Sequence, residues 1–338
     1  MNKEFGSDFH YIYSEKKQSK FLAQSNLTLF FSGRVAIYNL LKFGISKYNW
    51  EKVGFPSYYC HEVIEFCKDL DIEVALYEYN PLESNSIIWE DKAGTVIVNV
   101  NFFGIKKIDL NFLKKTVVIE DVTHDLLSVG QSSADYYFAS LRKQLPIGAG
   151  GFCILKKNEF FSNDLQVTLA AKETYQKKTT AMFLKAEYLA GKLDNNTLYR
   201  KYYLDAEEMF ENPLTNSFLP EQAIAQLQTL PIEDLIVITQ KNISYGIEMI
   251  KSSDRFKIVN NHNGFCLILY CINSDIRNGL RECLIQNKIF PAILWPGQIF
   301  EKDINLENRI LCIHMDFRYS PEEIKHISNI INSFFENV

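Results

Sequence analysis

Lys143 stands in a short polar turn between two apolar runs, residues 134–139 and 152–155. Because a buried ammonium group is costly, a lysine at such a position must reach water or find a partner. A lysine held there loses its proton readily and can attack a carbonyl carbon, as Schiff-base lysines do. Gly150 and Gly151 allow a ligand or another backbone segment to come close. The turn therefore predicts either a nucleophilic lysine or an exposed lysine in an ordinary hairpin.

Two carboxylates, Glu120 and Asp121, end the preceding apolar run. Ligands of open α/β sheets bind at the carboxyl ends of the strands. An acid at one strand end and a lysine after the next strand form the pair that pyridoxal 5'-phosphate (PLP) needs, since the lysine holds its aldehyde and the acid keeps its pyridine nitrogen protonated. We therefore predict Lys143 as the catalytic residue and Asp121 as the partner of the pyridine nitrogen.

A phosphate site is predicted where a helical pattern begins after Ser32 and Gly33. The free backbone N–H groups and the positive dipole end of a helix start suit a phosphate. A simple helix cap is the alternative. Arg34 can bind a phosphate through two nitrogens, or it can face a nucleotide substrate.

Several motifs follow one another in an order that resembles the fold-type-I PLP enzymes, specifically the sugar-nucleotide aminotransferases of the DegT/StrS type. The resemblance covers about residues 28–335. The motifs are Phe31-Ser-Gly-Arg-Val-Ala-Ile37, Phe55-Pro-Ser-Tyr-Tyr-Cys60, Val100-Asn-Phe-Phe-Gly104, Glu120-Asp-Val-Thr-His124, Ser140-Leu-Arg-Lys143 with Gly150-Gly151, and residues 216–227 and 309–319.

The resemblance implies further cofactor contacts. Ser140 would add its hydroxyl group to the phosphate, and His124 would lie on the side of the phenolic oxygen. Tyr59 or Cys60 would lie against the cofactor ring, where the family commonly has tryptophan. Asn216 would reach the cofactor phosphate of a second subunit. Core packing remains open for Tyr59 and Cys60, and an ordinary loop histidine for His124.

Two residues are predicted near the substrate by the same resemblance. Trp295 belongs to a segment that resembles the family's substrate mouth. Arg318 would bind a substrate carboxylate, or it would form an ion pair that holds the C-terminal lobe. The chain departs from the family at Arg34, where threonine is usual, and at Phe218, where arginine is usual.

Short apolar strands alternate with helical segments, which predicts an α/β fold with a mostly parallel sheet. The predicted parts are an N-terminal arm at 1–26, a large PLP-binding domain at 27–250 and a small C-terminal α+β domain at 251–338. One long helix from Glu221 towards Ile250 would be kinked near Pro231. A solvated helical face is predicted for Lys172, Glu173, Lys177, Lys178, Lys185 and Glu187.

Composition restricts the class of protein. The chain has 338 residues, 47% of them hydrophobic, and a formal net charge of -5. This charge argues against a nucleic-acid partner, and no apolar stretch has the length of a membrane span. The seven cysteines show no paired metal spacing. We expect a cytoplasmic protein without a metal site.

These patterns together predict a homodimeric aminotransferase of amino-sugar biosynthesis. It would move an amino group from an amino acid, with glutamate as the expected donor, to a keto-sugar carried on a nucleotide. Two alternatives remain at this point. One is a PLP enzyme of another kind, such as a lyase or decarboxylase, and the other is a non-catalytic homologue of the fold.

Overall fold

The computed structural model describes residues 4–14, 19–24, 26–82, 86–105, 107–161, 165–260 and 264–337. The strands are β1 Phe5–Gly6, β2 Leu27–Phe30, β3 Lys52–Pro56, β4 Glu73–Tyr77, β5 Thr95–Val100, β6 Val117–Asp121, β7 Tyr136–Ser140, β8 Gly151–Ile154, β9 Phe256–Ile258, β10 Leu267–Cys271, β11 Ile289–Phe290 and β12 Ile310–Ile313. The α-helices are α1 Gly33–Tyr48, α2 His61–Phe66, α3 Leu169–Leu189, α4 Thr197–Phe210, α5 Glu221–Thr229, α6 Ile232–Met249, α7 Ser274–Gln286, α8 Glu301–Arg309 and α9 Pro321–Glu336.

A seven-stranded sheet forms the centre, in the order β2-β8-β7-β6-β5-β3-β4. Strands β4, β3, β5, β6 and β7 pair in parallel, whereas β8 runs antiparallel to both β7 and β2. Alternate residues of β7 enter two different hydrophobic clusters, Tyr136 and Phe138 on one face and Tyr137 and Ala139 on the other. Both faces are therefore covered, as parallel sheets require. The predicted α/β fold with a mostly parallel sheet is confirmed.

The ends of neighbouring strands are aligned by their register. Asp121 pairs with Val100 of β5 and with Phe138 of β7. The polar residues that follow β5, β6 and β7 consequently meet at one edge of the sheet. This is the edge at which open α/β sheets bind their ligands.

The turn after β7 is pressed against the start of α1. A Cβ atom at Gly151 would overlap the backbone of Ser32, and one at Gly33 would come within 2.8 Å of the Ser140 Cβ. Glycine is needed at both positions because no side chain fits between the two segments. The close approach brings Ser140 and the lysine turn beside the first turn of α1.

The C-terminal region adds an antiparallel sheet, β12-β10-β9, with α7 and α9 packed against it. The N-terminal segment joins this region, since β1 pairs in parallel with β11 and Phe5 is buried there. Of the N-terminal arm predicted at 1–26, residues 1–3, 15–18 and 25 lie outside the described residues.

Two details of the sequence prediction were wrong. The helix expected from Glu221 onwards is divided into α5 and α6, because Pro231 lacks the N–H group that a continuous helix needs. Lys178 and Lys185, expected on a solvated face, are 4% and 1% exposed. Both ammonium groups find partners: Lys178 donates to the Asp8 carboxylate at 2.8 Å and Lys185 to the Asp8 carbonyl at 2.6 Å.

We expect Gly151→Ala to lower the free energy of unfolding by about 1–3 kcal/mol, because the added methyl group must displace the backbone of Ser32. Urea unfolding followed by circular dichroism would measure this. Gly279→Ala is the control: its Cβ would meet the end of the Phe334 ring at 3.2 Å, and alanine favours the helix. Equal stability of the Gly151→Ala protein and the wild type would contradict the close packing described here.

Candidate active site

A cavity of about 390 Å³ opens at the carboxyl edge of the central sheet. Its walls come from the segments that follow β2, β3, β5, β6 and β7, together with α4 and one residue of the C-terminal region. Its size is within the usual range of small-molecule sites. The lining includes Gly33, Arg34, Tyr59, Cys60, Asp121, His124, Ser140, Lys143 and Trp295.

Lys143 reaches this cavity from the turn after β7. Among the described residues, its amine makes no hydrogen bond or ion pair. The side chain is exposed and opens onto the cavity, whose walls partly desolvate the amine. This desolvation, together with the neighbouring Arg142, lowers the pKa of Lys143. Lys143 therefore lies in the cavity, and its lowered pKa favours the neutral amine, which is the nucleophilic form.

Asp121 lies at the end of β6 and is 5% exposed. One carboxylate oxygen accepts the hydroxyl group of Tyr59 at 2.5 Å, and the other accepts the Thr123 backbone N–H at 2.9 Å. Burial raises the pKa of Asp121. A carboxylate fixed in this way can hold a protonated nitrogen in the cavity. Tyr59 thus contacts the predicted acid directly, a role that the sequence did not indicate.

His124 belongs to an aromatic wall. Its imidazole ring stacks on Phe265 at 4.2 Å between centroids and lies nearly parallel to Trp295 at 5.5 Å. The His124 Nδ1 accepts the Phe103 backbone N–H at 3.2 Å. Burial lowers the pKa of His124 to about 3, so the ring is neutral at pH 7.

The first turn of α1 forms the other end of the cavity. Ser32 caps the helix by accepting the Val35 N–H. Ser32, Gly33, Arg34 and Ser140 all line this end. Backbone N–H groups, hydroxyl groups and a guanidinium group together suit an anion.

Two predicted site residues lie elsewhere. Asn216 is not in the cavity lining; it accepts a hydrogen bond from Asn39 at 2.8 Å. Arg318 is also outside the lining, and two of its nitrogens donate to Asp316 at 2.7 Å each. Of the two roles that the sequence left open for Arg318, the geometry favours the ion pair that holds the lobe.

Sequence reasoning missed the contribution of α4 and the residue that follows it. Glu207, Glu208 and Glu211 line the cavity and carry its acidic rim. Glu207 accepts a hydrogen bond from Arg142 at 2.9 Å, and Arg142 also lies 3.8 Å above the ring of Phe210. The spacing of the three glutamates places them near one another at the end of the helix. The sequence around them, however, does not indicate that they face the cavity.

Comparison with solved structures shows that the chain has the fold of sugar aminotransferases. Helicobacter pylori PseC, an aminotransferase involved in the biosynthesis of pseudoaminic acid, has a TM-score of 0.64 at 12% identity; the match covers 99% of this chain and 100% of PseC. A DegT DnrJ EryC1 StrS aminotransferase from Brucella abortus has a TM-score of 0.58 at 14% identity, over 94% and 87% of the two chains. DesI, solved in the presence of its TDP-sugar product, has a TM-score of 0.59 at 12% identity, over 91% and 80%.

No protein-family model matches the chain, and no curated protein matches it. Within the described part of the chain, none of the helices combines the length and the apolar character that crossing a membrane requires.

The neutral state of His124 predicts a pH dependence of stability. Its pKa is about 3 in the folded chain and 6.5 as the ordinary value, so between these pH values the unfolded chain binds a proton that the folded chain does not. The free energy of unfolding therefore decreases as the pH falls below 6.5. At pH 5 the contribution of His124 to this decrease is about 2 kcal/mol.

The test variant is His124→Gln, which keeps a hydrogen-bond acceptor. Between pH 7 and pH 5 we expect its free energy of unfolding to fall by about 2 kcal/mol less than that of the wild type. Urea unfolding at the two pH values would measure this difference. The change between pH values is the readout, because loss of ring stacking lowers the stability of the variant at both. The same pH dependence in both proteins would contradict a neutral, buried His124.

Proposed function

We propose that the chain is a PLP-dependent aminotransferase. The observation that carries the proposal is the placement of Lys143. Its amine has no hydrogen-bond or ion-pair partner among the described residues, and it lines one cavity with the buried carboxylate of Asp121 and the anion-binding start of α1. An amine, a carboxylate and an anion site are the three groups that hold the aldehyde, the pyridine nitrogen and the phosphate of PLP.

The remaining lining residues fit the same ligand. Gly33, Arg34 and Ser140 would hold the phosphate, because they form the polar end of the cavity. His124 and Tyr59, with Cys60, would surround the ring. Bound PLP supplies an electron sink that stabilises negative charge on the substrate carbon.

The chain's own residues would bind and move protons around that ligand. Lys143 would take the proton from the substrate Cα and return it, and its lowered pKa favours the neutral amine that this role needs. Asp121, held by Tyr59 and Thr123, would keep the pyridine nitrogen protonated. The uncharged ring of His124 adds no positive charge of its own to the cavity.

We extend the proposal to the substrates on the strength of the fold similarity. PseC is involved in the biosynthesis of pseudoaminic acid, and DesI was solved with a TDP-sugar product. We accordingly propose that this chain aminates a keto-sugar carried on a nucleotide, with glutamate as the donor. We further propose a cytoplasmic homodimer in which Asn216 of one subunit approaches the cofactor phosphate of the other.

Lys143→Ala should abolish covalent attachment of PLP, because the variant lacks the amine that attacks the aldehyde. The measurement is the absorption band of lysine-bound PLP, followed by borohydride reduction and mass mapping of the labelled peptide. Lys157→Ala, which removes an exposed lysine outside the cavity lining, is the matched control and should label as the wild type does. Equal labelling of the Lys143→Ala protein would show that the lysine assignment is wrong.

Glutamate should convert the PLP bound to the wild-type protein to its amino form, with loss of the lysine-bound absorption band. The expected product from glutamate is 2-oxoglutarate, which chromatography detects. A protein that binds PLP but releases carbon dioxide, or releases ammonia with the cofactor left as PLP, would be a decarboxylase or lyase. Absence of PLP binding at any concentration would favour a non-catalytic homologue.

A further inference from the structure

The arginine at the start of α1 is already held by a carboxylate. Arg34 lines the cavity beside Ser32 and Ser140. Its two terminal nitrogens donate to the two carboxylate oxygens of Glu211 at 2.6 and 2.8 Å, and one of them also donates to Glu62 at 3.3 Å. A carboxylate bound in this way uses the edge of the guanidinium group that would bind two oxygens of a phosphate.

We propose that Glu211 competes with the phosphate of the cofactor for Arg34, so that its carboxylate leaves the guanidinium group when the phosphate binds. This rests on the proposed function, because it takes PLP as the ligand. Glu211 then sets how tightly the cofactor is held. No motif of the sequence marks it for this role.

Electrostatics disfavour a third anion on this arginine. A phosphate monoester carries a charge of about -1.5 to -2 at pH 7. Placed on Arg34 with Glu211 and Glu62 still bound, it would bring three anionic groups to one cation. Repulsion between anions at such short distances is stronger in a partly desolvated cavity than in water.

Burial indicates which partner moves. The side chain of Arg34 is 12% exposed, whereas that of Glu211 is 56% exposed. An exposed carboxylate can turn into water at little cost, because exposed ion pairs are weak. Arg34 is fixed by the packing of α1 and lies 6.0 Å from the centre of the Phe66 ring. We therefore expect Glu211 to move away and Arg34 to stay.

Glu211→Gln is the test variant, because it keeps the shape of the side chain and removes its charge. We expect it to bind inorganic phosphate and PLP about two- to fivefold more tightly than the wild type does. Phosphate binding is measured from the shift of the thermal unfolding midpoint, and PLP binding by absorption titration. Pyridoxal, which lacks the phosphate, should bind both proteins equally.

Two further variants make the experiment specific. Glu208→Gln removes the same charge from the same cavity rim, but Glu208 makes no ion pair among the described residues, so it should raise both affinities less than Glu211→Gln does. Arg34→Ala should weaken phosphate binding. Adding Glu211→Gln to Arg34→Ala should then bring no gain in phosphate affinity, because the guanidinium group for which the two anions compete is absent.

Unchanged or weaker phosphate binding by Glu211→Gln would overturn the inference and make Glu211 a support of Arg34. An equal gain for pyridoxal would also overturn it, since the effect would not depend on the phosphate. The phosphate measurement needs no covalent step. If it gives the expected gain while none of the proteins attaches PLP at Lys143, the competition stands and the proposed function fails.

Discussion

The arrangement of the site depends on one steric constraint, the absence of side chains between β8 and the first turn of α1. Gly151 pairs with Ser140 across the β7–β8 ladder and leaves no room for a Cβ atom against Ser32. Because β8 returns antiparallel to β7, the turn that carries Lys143 is held between the two strands and the helix start. The amine and the anion-binding end of the cavity therefore keep a fixed relation that neither segment would impose alone.

Charge balance around that turn comes from elements that are distant in the sequence. Desolvation and the neighbouring Arg142 lower the pKa of Lys143, and the guanidinium group of Arg142 is itself placed by Glu207 and by the ring of Phe210. Glu207 also pairs with the buried Lys178. The acids of α4 thus offset the positive charges that lie near the amine, without contacting the amine by an ion pair. Glu207 thereby limits the effect of Arg142, because its own negative charge raises the pKa of Lys143.

The features that the sequence predicted well are local. Strand ends are marked by apolar runs that stop at polar residues, so Asp121 and Lys143 could be assigned to one edge of the sheet. Lys178 and Lys185 could not be predicted as buried, because the Asp8 groups that accept their hydrogen bonds lie far away in the chain. Arg318 was ambiguous for a different reason: its partner Asp316 is close in the sequence, but the motif alone does not show that the turn brings the two side chains together.

The aromatic wall ties the two parts of the molecule together at the site. Trp295 comes from the C-terminal region, yet its ring lies parallel to that of His124, which follows β6. The same segment is fastened to the loop after β3, since the Gln298 amide donates to the Tyr59 carbonyl at 2.8 Å and the Tyr58 hydroxyl donates to the Leu294 carbonyl. Tyr59 in turn holds Asp121. If the C-terminal segment moved, Tyr59 would therefore move with it and shift its hydrogen bond to the Asp121 carboxylate. The loop after β3 couples the position of the aromatic wall to that of Asp121.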